Sequence, residues 1–210
     1  MVVAYFPSVD LADESGLLAI GGDLEVETLK LAYSNGIFPW PVPGEPLLWF
    51  APPRRGILEF SEFKIPKRLA RFLKNRPFTF AVDQNFRGVI EACRSSRNRK
   101  NQPGTWITLE MVKAYQRFHQ AGYAHSFEAY AGDQLVGGMY GVKLNHYFAG
   151  ESMFYLKPNA SKFVLVQTVE YLKLLGHTWL DVQTLSPLLK SFGAKEISRN
   201  TFMKKLQLSL

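Results

Sequence analysis

The stretch that most constrains the fold is LVGGMYGVKLNHYFAGESMFYLKPNASK at positions 135–162. Its apolar and aromatic residues predict two strands joined by a short Asn-His turn, then a loop and the start of a helix. Gly137, Gly138 and Gly141 leave room for a backbone or a ligand to approach closely. The second strand is apolar except for Glu151, whose burial costs free energy unless a cation or hydrogen-bond donor meets it. We therefore favour a ligand contact for Glu151 over the alternative, an edge-strand side chain in water.

The chain downstream of residue 55 alternates between helix and strand patterns. A helix is predicted from Leu109 to Ala121, three strands lie between 124 and 154, a second helix runs over 161–175, and a buried strand ends at Gln183. This order predicts an α/β (α+β) fold that resembles the GNAT acyltransferases, an analogy that says little about chemistry. Residues 1–55 are rich in Gly and Pro and predict a small, irregular N-terminal domain before a GNAT-like domain at 56–210.

Composition and charge narrow the class of protein. Lysine and arginine outnumber acidic residues by 25 to 18, and the resulting net charge of +7 favours a polyanionic partner. Cys93 is the single cysteine, so an internal disulfide is excluded and a reducing compartment is indicated. No apolar run approaches the roughly 18 residues of a membrane span, and the N-terminus lacks the pattern of a signal peptide. We predict a soluble cytoplasmic protein.

The positive charge is concentrated in two short segments. The stretch from Lys64 to Arg76 has six basic residues and no acidic one, and residues 94–100 add four more basic residues. Helical spacing places one set of basic side chains on a single face, opposite Leu69 and Phe72; the set is Lys64, Lys67, Arg68, Arg71 and Lys74. A solvated helix face without a partner is the alternative. We favour contact with a phosphate backbone, in structured RNA rather than a DNA operator.

A second polar feature ends the buried strand at 178–183. Alternation places Asp181 and Gln183 on one face, where a carboxylate and an amide could orient an amine. The alternative is an Asp that caps the next helix. His119 and His125 are separated and lack paired carboxylates, so they are interpreted as structural, and no arrangement resembles a metal site.

These stretches together resemble the leucyl/phenylalanyl-tRNA–protein transferase family over almost the whole chain. The matching motifs are GLLAIGGDL (16–24), AYSNGIFPW (32–40), GTWIT (104–108), AHSFE (124–128), LVGGMYGV (135–142), FAGESMF (148–154), NASK (159–162), Asp181-Val182-Gln183 and SFGA (191–194). The resemblance implies transfer of Leu or Phe (also Met) from aminoacyl-tRNA to an N-terminal Arg or Lys of a protein, which creates a degradation signal. We expect a monomer with aminoacyl-tRNA as co-substrate, and aminolysis of an ester needs neither metal nor other cofactor.

From this resemblance we predict roles for particular residues. Asp181 would orient, and deprotonate, the attacking amine, Gln183 would polarise or position the ester, and Glu151 would bind an amino group. The apolar pocket for Leu or Phe would be formed by Met139, Phe148, Met153 and Leu165, with Trp40 and Trp106 stacking on the terminal adenosine or closing the pocket. The acceptor stem would be held by Lys67, Arg68, Arg71 and Lys74.

Two competing functions share part of this pattern. An acyl-CoA-dependent N-acetyltransferase has the same fold order, but residues 158–162 lack the glycines that cradle a pyrophosphate before the corresponding helix. A non-catalytic tRNA-binding protein explains the basic face but not the polar residues of the strands. Val182 and Leu188 stand where the family usually has Cys and His, which argues against essential thiol or imidazole catalysis at those positions.

Overall fold

A computed structural model describes residues 2–42, 44–95 and 106–210 of the chain. The described N-terminal segment holds more regular structure than its Gly and Pro content indicated. Its elements are a 3₁₀ turn at Val9–Leu11, strand β1 at Leu17–Ile20, helix α1 at Val26–Ser34, strand β2 at Phe38–Pro39 and strand β3 at Leu48–Phe50. Strand β3 lies between β1 and β2 and is antiparallel to both. The domain boundary at residue 55 stays a prediction.

The described part of the chain that follows is built around a mixed seven-stranded sheet. Its strands are Arg54–Glu59 (β4), Thr79–Val82 (β5), Ala124–Ala131 (β6), Gln134–Leu144 (β7), Tyr147–Tyr155 (β8), Trp179–Gln183 (β9) and Lys195–Ser198 (β10). They lie in the order β10-β4-β9-β8-β7-β6-β5. Strands β8 and β9 are parallel, and the other neighbours are antiparallel. Because β8 lies inside the sheet, the edge-strand alternative for Glu151 is excluded.

Helices cover both faces of this sheet. They are Lys67–Leu73 (α2), Phe86–Ser95 (α3), Leu109–Gln120 (α4), Ala160–Leu174 (α5), Pro187–Ser191 (α6) and Arg199–Gln207 (α7). Thr108 caps α4 by accepting a hydrogen bond from the Met111 amide at 3.2 Å, so the predicted start of this helix is confirmed. The order α4-β6-β7-β8-α5-β9 confirms the predicted α/β class.

Alternate residues of the central strands face two hydrophobic cores. On β9, Trp179 packs in the core that includes α1, α3, α4 and α7, whereas Leu180 and Val182 pack in the core beneath α5. Residues on opposite sides of a strand alternate, so this division follows from the sequence pattern.

The space beside Gly137 and Gly138 of β7 is filled by other parts of the protein and is not open to a ligand. A Cβ on Gly137 would lie 2.6 Å from the Cβ of Ala160, and one on Gly138 would lie 2.8 Å from the ring of Phe154. Both glycines therefore let neighbouring parts of the protein approach the sheet, which is one of the two predicted uses, the other being approach of a ligand.

The basic helix is shorter than predicted. It spans Lys67–Leu73 within the basic stretch 64–76, and Pro66 occupies its N-cap position. The predicted tRNA-contacting side chains are all exposed, and we call them the basic ridge: Lys67, Arg68, Arg71 and Lys74. On the other face Leu69 is buried. The second basic run falls mostly at 96–100, outside the described residues.

No helix in the described ranges is long and apolar enough to cross a membrane. The cytoplasmic location stays a prediction.

Candidate active site

The parallel pairing of β8 with β9 brings two of the predicted site residues together. It aligns Ala149 with Asp181, so Glu151 and Gln183 each lie two residues further along their strand. Gln183 Nε2 donates a hydrogen bond of 2.7 Å to Glu151 Oε1. The carboxylate and the amide therefore form one polar pair between the two strands.

A β-bulge determines the direction of Glu151. Tyr140 of β7 pairs with Ser152 of β8, and Gly141 pairs with Gly150, which leaves Glu151 as the extra residue. Bulges re-aim a side chain relative to the regular pleat and occur often next to active sites. The glycine is required here, since a Cβ on Gly141 would collide with the carbonyl oxygen of Ala149.

A second break in strand register lies between β9 and β4, on the far side of β9 from Glu151. Gly56 of β4 pairs with Gln183 and Ile57 pairs with Asp181, so Val182 is left over in β9. Gln183 has a φ of 58°, a left-handed conformation that side chains other than glycine adopt rarely and at a cost. This left-handed conformation interrupts the alternation of β9. As a result the Gln183 side chain lines the same cavity as Leu180 and Val182, which is described below.

Asp181 does not reach that cavity. Its side chain is 0% exposed and accepts bonds from Arg55 Nε at 3.0 Å and Nη2 at 2.7 Å, and from the Tyr147 hydroxyl at 2.6 Å. It also accepts the backbone N–H of Gln183 at 2.8 Å. The role predicted for Asp181 as a direct partner of the amine stays a prediction. Its burial favours an indirect role, in which it holds Gln183 in its left-handed conformation.

Arg55 supplies the countercharge for Asp181. Its guanidinium lies 4.5 Å from the ring centroids of both Phe38 and Phe202, and its Nη1 donates to the Gly36 carbonyl at 3.1 Å. Burial by itself lowers the pKa of Arg55, but the adjacent Asp181 carboxylate raises it above its ordinary value. The ion pair thereby links the N-terminal segment to the site.

Glu151 carries a perturbed pKa. Burial raises it to about 7, and the negative Asp181 adds to the rise, whereas Tyr33, Arg55 and Gln183 act in the opposite direction. Its Oε2 atom is buried and, among the described residues, makes no hydrogen bond of ordinary geometry, although the Tyr33 hydroxyl lies close enough to lower the pKa. This carboxyl group therefore exchanges a proton near neutral pH.

The raised pKa of Glu151 predicts that the free energy of unfolding depends on pH. In the unfolded chain Glu151 ionises near the ordinary pKa of 4.5, whereas in the folded chain it keeps its proton up to a pH of about 7. Between these values the native state binds more protons, so the free energy of unfolding falls as pH rises from about 4.5 to about 7 and is level above that. We expect urea unfolding to show this decline relative to Glu151→Gln. Parallel curves for the two proteins would contradict the assigned pKa.

An apolar cavity of about 530 Å³, the first cavity, adjoins the Glu151–Gln183 pair. The other predicted residues that line it are Trp40, Trp106, Met139, Met153 and Leu165. Leu180, Val182 and Leu188 add to its apolar wall. The indoles of Trp40 and Trp106 stack on each other with centroids 5.1 Å apart and planes at 17°. One wall is therefore aromatic and another carries the ionisable pair.

Phe148 lies elsewhere. It is 1% exposed and packs edge-on against Phe127 in the core beneath α5, with centroids 5.6 Å apart. Phe148 shares this core with Leu180, which lines the first cavity, but its own ring is covered by the core and does not reach the lining. Phe148 does not line the first cavity, so its predicted contact with the substrate stays a prediction.

The two histidines are not separated as predicted: both lie beside the Asp83 carboxylate, with His119 Nδ1 3.8 Å and His125 Nδ1 2.7 Å from its oxygens. His119 Nδ1 also lies 2.7 Å from the Ala124 carbonyl. Neither lines the first cavity. Within the described ranges no group of three or more His, Cys, Asp or Glu side chains could hold a metal ion.

Sequence reasoning missed Arg55, Tyr147, Tyr33 and Tyr115. The Tyr33 and Tyr115 hydroxyls lie 2.5 Å apart in the buried region next to Glu151, and burial raises the pKa of both. The Arg54-Arg55 pair at the start of a strand was a signal for Arg55, because one of two consecutive residues must face inward. Nothing in the pattern distinguished the tyrosines from ordinary core residues.

The described part of the chain is an α/β fold with an apolar cavity whose wall carries a carboxyl group and an amide. Family models described as "Leucyl/phenylalanyl-tRNA protein transferase" and its "N-terminal domain" match residues 57–207 and 22–53. The chain belongs to this family, and it is an aminoacyltransferase that moves an amino acid from tRNA to protein.

Named relatives extend the match over nearly the whole chain. A leucyl/phenylalanyl-tRNA–protein transferase of Anaeromyxobacter dehalogenans is 46% identical over 205 residues, covering 98% of this chain and 88% of the relative. That of Flavobacterium johnsoniae is 46% identical over 203 residues, covering 97% and 95%. Among solved structures, L-PGS from Bacillus licheniformis has a TM-score of 0.44 and 15% identity over 77% of this chain and 51% of its own, a likeness too weak to bear on function.

Proposed function

We propose that the protein transfers leucine or phenylalanine, and also methionine, from tRNA to the N-terminal Arg or Lys of a protein, marking that protein for degradation. The observation that carries this proposal is the hydrogen-bonded pair of Glu151 and Gln183 on the wall of the apolar first cavity. Met139 and Met153 line that cavity, and their flexible thioethers adapt to side chains of different shape. The aliphatic or aromatic donor side chain would occupy this apolar space.

The reaction is the aminolysis of an ester. The α-amine attacks the aminoacyl carbonyl, an amide bond forms, the bond to the ribose oxygen breaks, and the amine's proton passes to that oxygen. An α-amine has a pKa of about 7.7–8.0, so a usable fraction is deprotonated at neutral pH. Holding amine and ester together supplies much of the acceleration, since effective molarities reach about 10⁵–10⁸ M. In this scheme aminoacyl-tRNA is a co-substrate and no cofactor is needed.

Direct contact with the reacting groups falls to Glu151 and Gln183. Both line the first cavity, and the amide carbonyl of Gln183 is suited to accept an N–H of the attacking amine. The carboxylate form of Glu151 would attract an amino group of the donor or the acceptor. Asp181 would act through Gln183, whose backbone N–H it binds.

The test of this function is a transfer assay. The protein is incubated with labelled Leu-tRNA and a peptide that begins with Arg, and a peptide that begins with Ala is the control. Label should appear on the Arg peptide alone. Transfer of an acetyl group from acetyl-CoA, with none from Leu-tRNA, would establish the acetyltransferase alternative. Tight tRNA binding without any transfer would indicate the non-catalytic alternative.

The basic ridge makes a prediction about tRNA affinity. Changing Lys67, Arg68, Arg71 and Lys74 to Gln should weaken tRNA binding and reduce the slope of log affinity against log salt by up to about 2.8–3.6, since each of four phosphate contacts contributes about 0.7–0.9. The measurement is a salt titration of binding. A matched control neutralises four exposed basic residues on other helices, Arg87, Lys113, Lys173 and Lys204. Equal losses in both variants would show a general charge effect instead of a ridge.

A further inference from the structure

A second cavity of about 540 Å³ lies between α2, α5 and α6. The lining residues that matter here are Arg68, Phe72, Asn159, Lys162, Leu188 and Ser191. Two of them are cationic, and none of the described lining residues is acidic. The second cavity is therefore a positively charged recess with hydrogen-bonding groups and an aromatic side chain, a combination typical of sites for single-stranded nucleic acid.

Lys162 is the better held of the two cations. It lies in the first turn of α5, and its Nζ donates a hydrogen bond of 3.2 Å to Asn159 Oδ1. An ammonium group has three donors, so two remain for a ligand. Arg68 reaches the second cavity from the exposed face of α2, which continues into the basic ridge.

The second cavity shares a wall with the first. Leu188 of α6 lines both cavities. On α5 the consecutive residues Ser161 and Lys162 line the first and the second cavity respectively. Because consecutive Cα atoms are about 3.8 Å apart, the two spaces are separated by little more than one layer of side chains.

We propose that the second cavity binds a phosphodiester of the single-stranded 3′ end of the aminoacyl-tRNA, with Lys162 and Arg68 holding the phosphate. This inference rests on the proposed function. The ester lies on the terminal nucleoside, so the nearest phosphate of the strand is only one nucleoside away from the reacting carbonyl. A phosphate site must then adjoin the aminoacyl cavity, and the second cavity meets that condition. Phe72 offers a ring on which a base can stack.

The experiment compares two small donors in transfer to the Arg peptide. One is the phenylalanyl ester of adenosine, which has no phosphate, and the other is the phenylalanyl ester of the dinucleotide CpA, which has one phosphodiester. Lys162→Gln should raise KM for the CpA ester about ten- to a hundred-fold, as expected for a lost hydrogen bond to a charged group. It should leave KM for the adenosine ester within about two-fold. Lys162→Arg should preserve the preference for the CpA ester.

Lys173→Gln is the matched control, because it removes the same charge from the last turn of the same helix. It should change KM for neither donor. If Lys162→Gln raises KM equally for both donors, or for neither, the phosphate assignment is wrong. Should that variant unfold, as judged by circular dichroism, Arg68→Gln on the exposed face is to show the same selective loss.

A binding measurement separates this inference from the proposed function. Unesterified CpA should bind the wild-type protein more tightly than adenosine does, and Lys162→Gln should abolish the difference in isothermal titration. Such binding without transfer from any donor would retain the phosphate site and reject the proposed function. Transfer from both esters without a preference for CpA would retain the function and reject the site.

Discussion

Replacing Arg55 with methionine is expected to lower the free energy of unfolding by about 3–5 kcal/mol, because it leaves the Asp181 carboxylate buried without its cation. Asp181 and Arg55 are 0% and 1% exposed, so water cannot replace the lost partner. The substitution also removes the contacts of the guanidinium with Phe38 and the Gly36 carbonyl. Urea unfolding followed by circular dichroism measures the effect.

The neighbouring arginine is the control. Arg54 Nε lies 3.8 Å from Glu196 Oε2, and both side chains are largely exposed, at 61% and 42%. An exposed pair contributes little, so Arg54→Met should cost no more than about 1 kcal/mol. Similar losses at the two positions would mean that the buried ion pair does not set the stability of this region.

The second large effect is expected at Gln183, in transfer activity rather than stability. Gln183→Gly removes the amide from the first cavity, and we expect kcat/KM to fall about 10²–10³-fold, the loss seen when one preorganised hydrogen-bonding group is deleted. Glycine adopts a φ of 58° without strain, so the free energy of unfolding should change by less than about 1 kcal/mol. Loss of the hydrogen bond from Gln183 should also raise the pKa of Glu151 further.

Asn145→Gly provides a matched comparison for Gln183→Gly. Asn145 also has a positive φ, 50°, but it lies in the turn between β7 and β8 and does not line the first cavity. Its replacement by glycine should leave the transfer rate unchanged. If Gln183→Gly lowered kcat/KM by less than about five-fold, the direct role assigned to Gln183 would be wrong. If it unfolded the protein, the amide would be primarily structural.

Arg55→Met and Gln183→Gly interrupt the same chain of contacts at two different points. Arg55 neutralises Asp181, Asp181 binds the backbone N–H of Gln183, and Gln183 binds Glu151. Removal of Arg55 should therefore lower transfer as well as stability. Because Arg55 also contacts Gly36 and Phe38, the N-terminal segment contributes to the site without placing a reacting group in it.

Much of the architecture could be predicted from local sequence. The start of α4 at Leu109 is confirmed, because capping acts within a few residues. The predicted placement of Gln183 on the same face as Asp181 is wrong, because the left-handed φ of Gln183 turns it toward the cavity that Leu180 and Val182 line. The family resemblance is also confirmed, since it rested on motifs distributed over the whole chain.

The arrangement of the site could be predicted only in part. Glu151 was singled out as a costly buried charge, and the structure places it beside Gln183. The bulge that aims Glu151 depends on the register between β7 and β8, which no single strand contains. The burial of Asp181 depends on Arg55, 126 positions away in the chain, so the sequence pattern alone made Asp181 look available to substrate.

The amino-acid sequence by itself determined the order of helices and strands from α4 to β9, the basic helix face, the unusual carboxylate in β8 and the family. The tertiary structure alone decided which polar residue faces the first cavity, which one is neutralised by an ion pair, and where the second cavity lies. The physical reason is range. Propensity, capping and alternation act between near neighbours in the chain, whereas burial, pKa and cavity shape arise from contacts between residues that only the folded chain brings together.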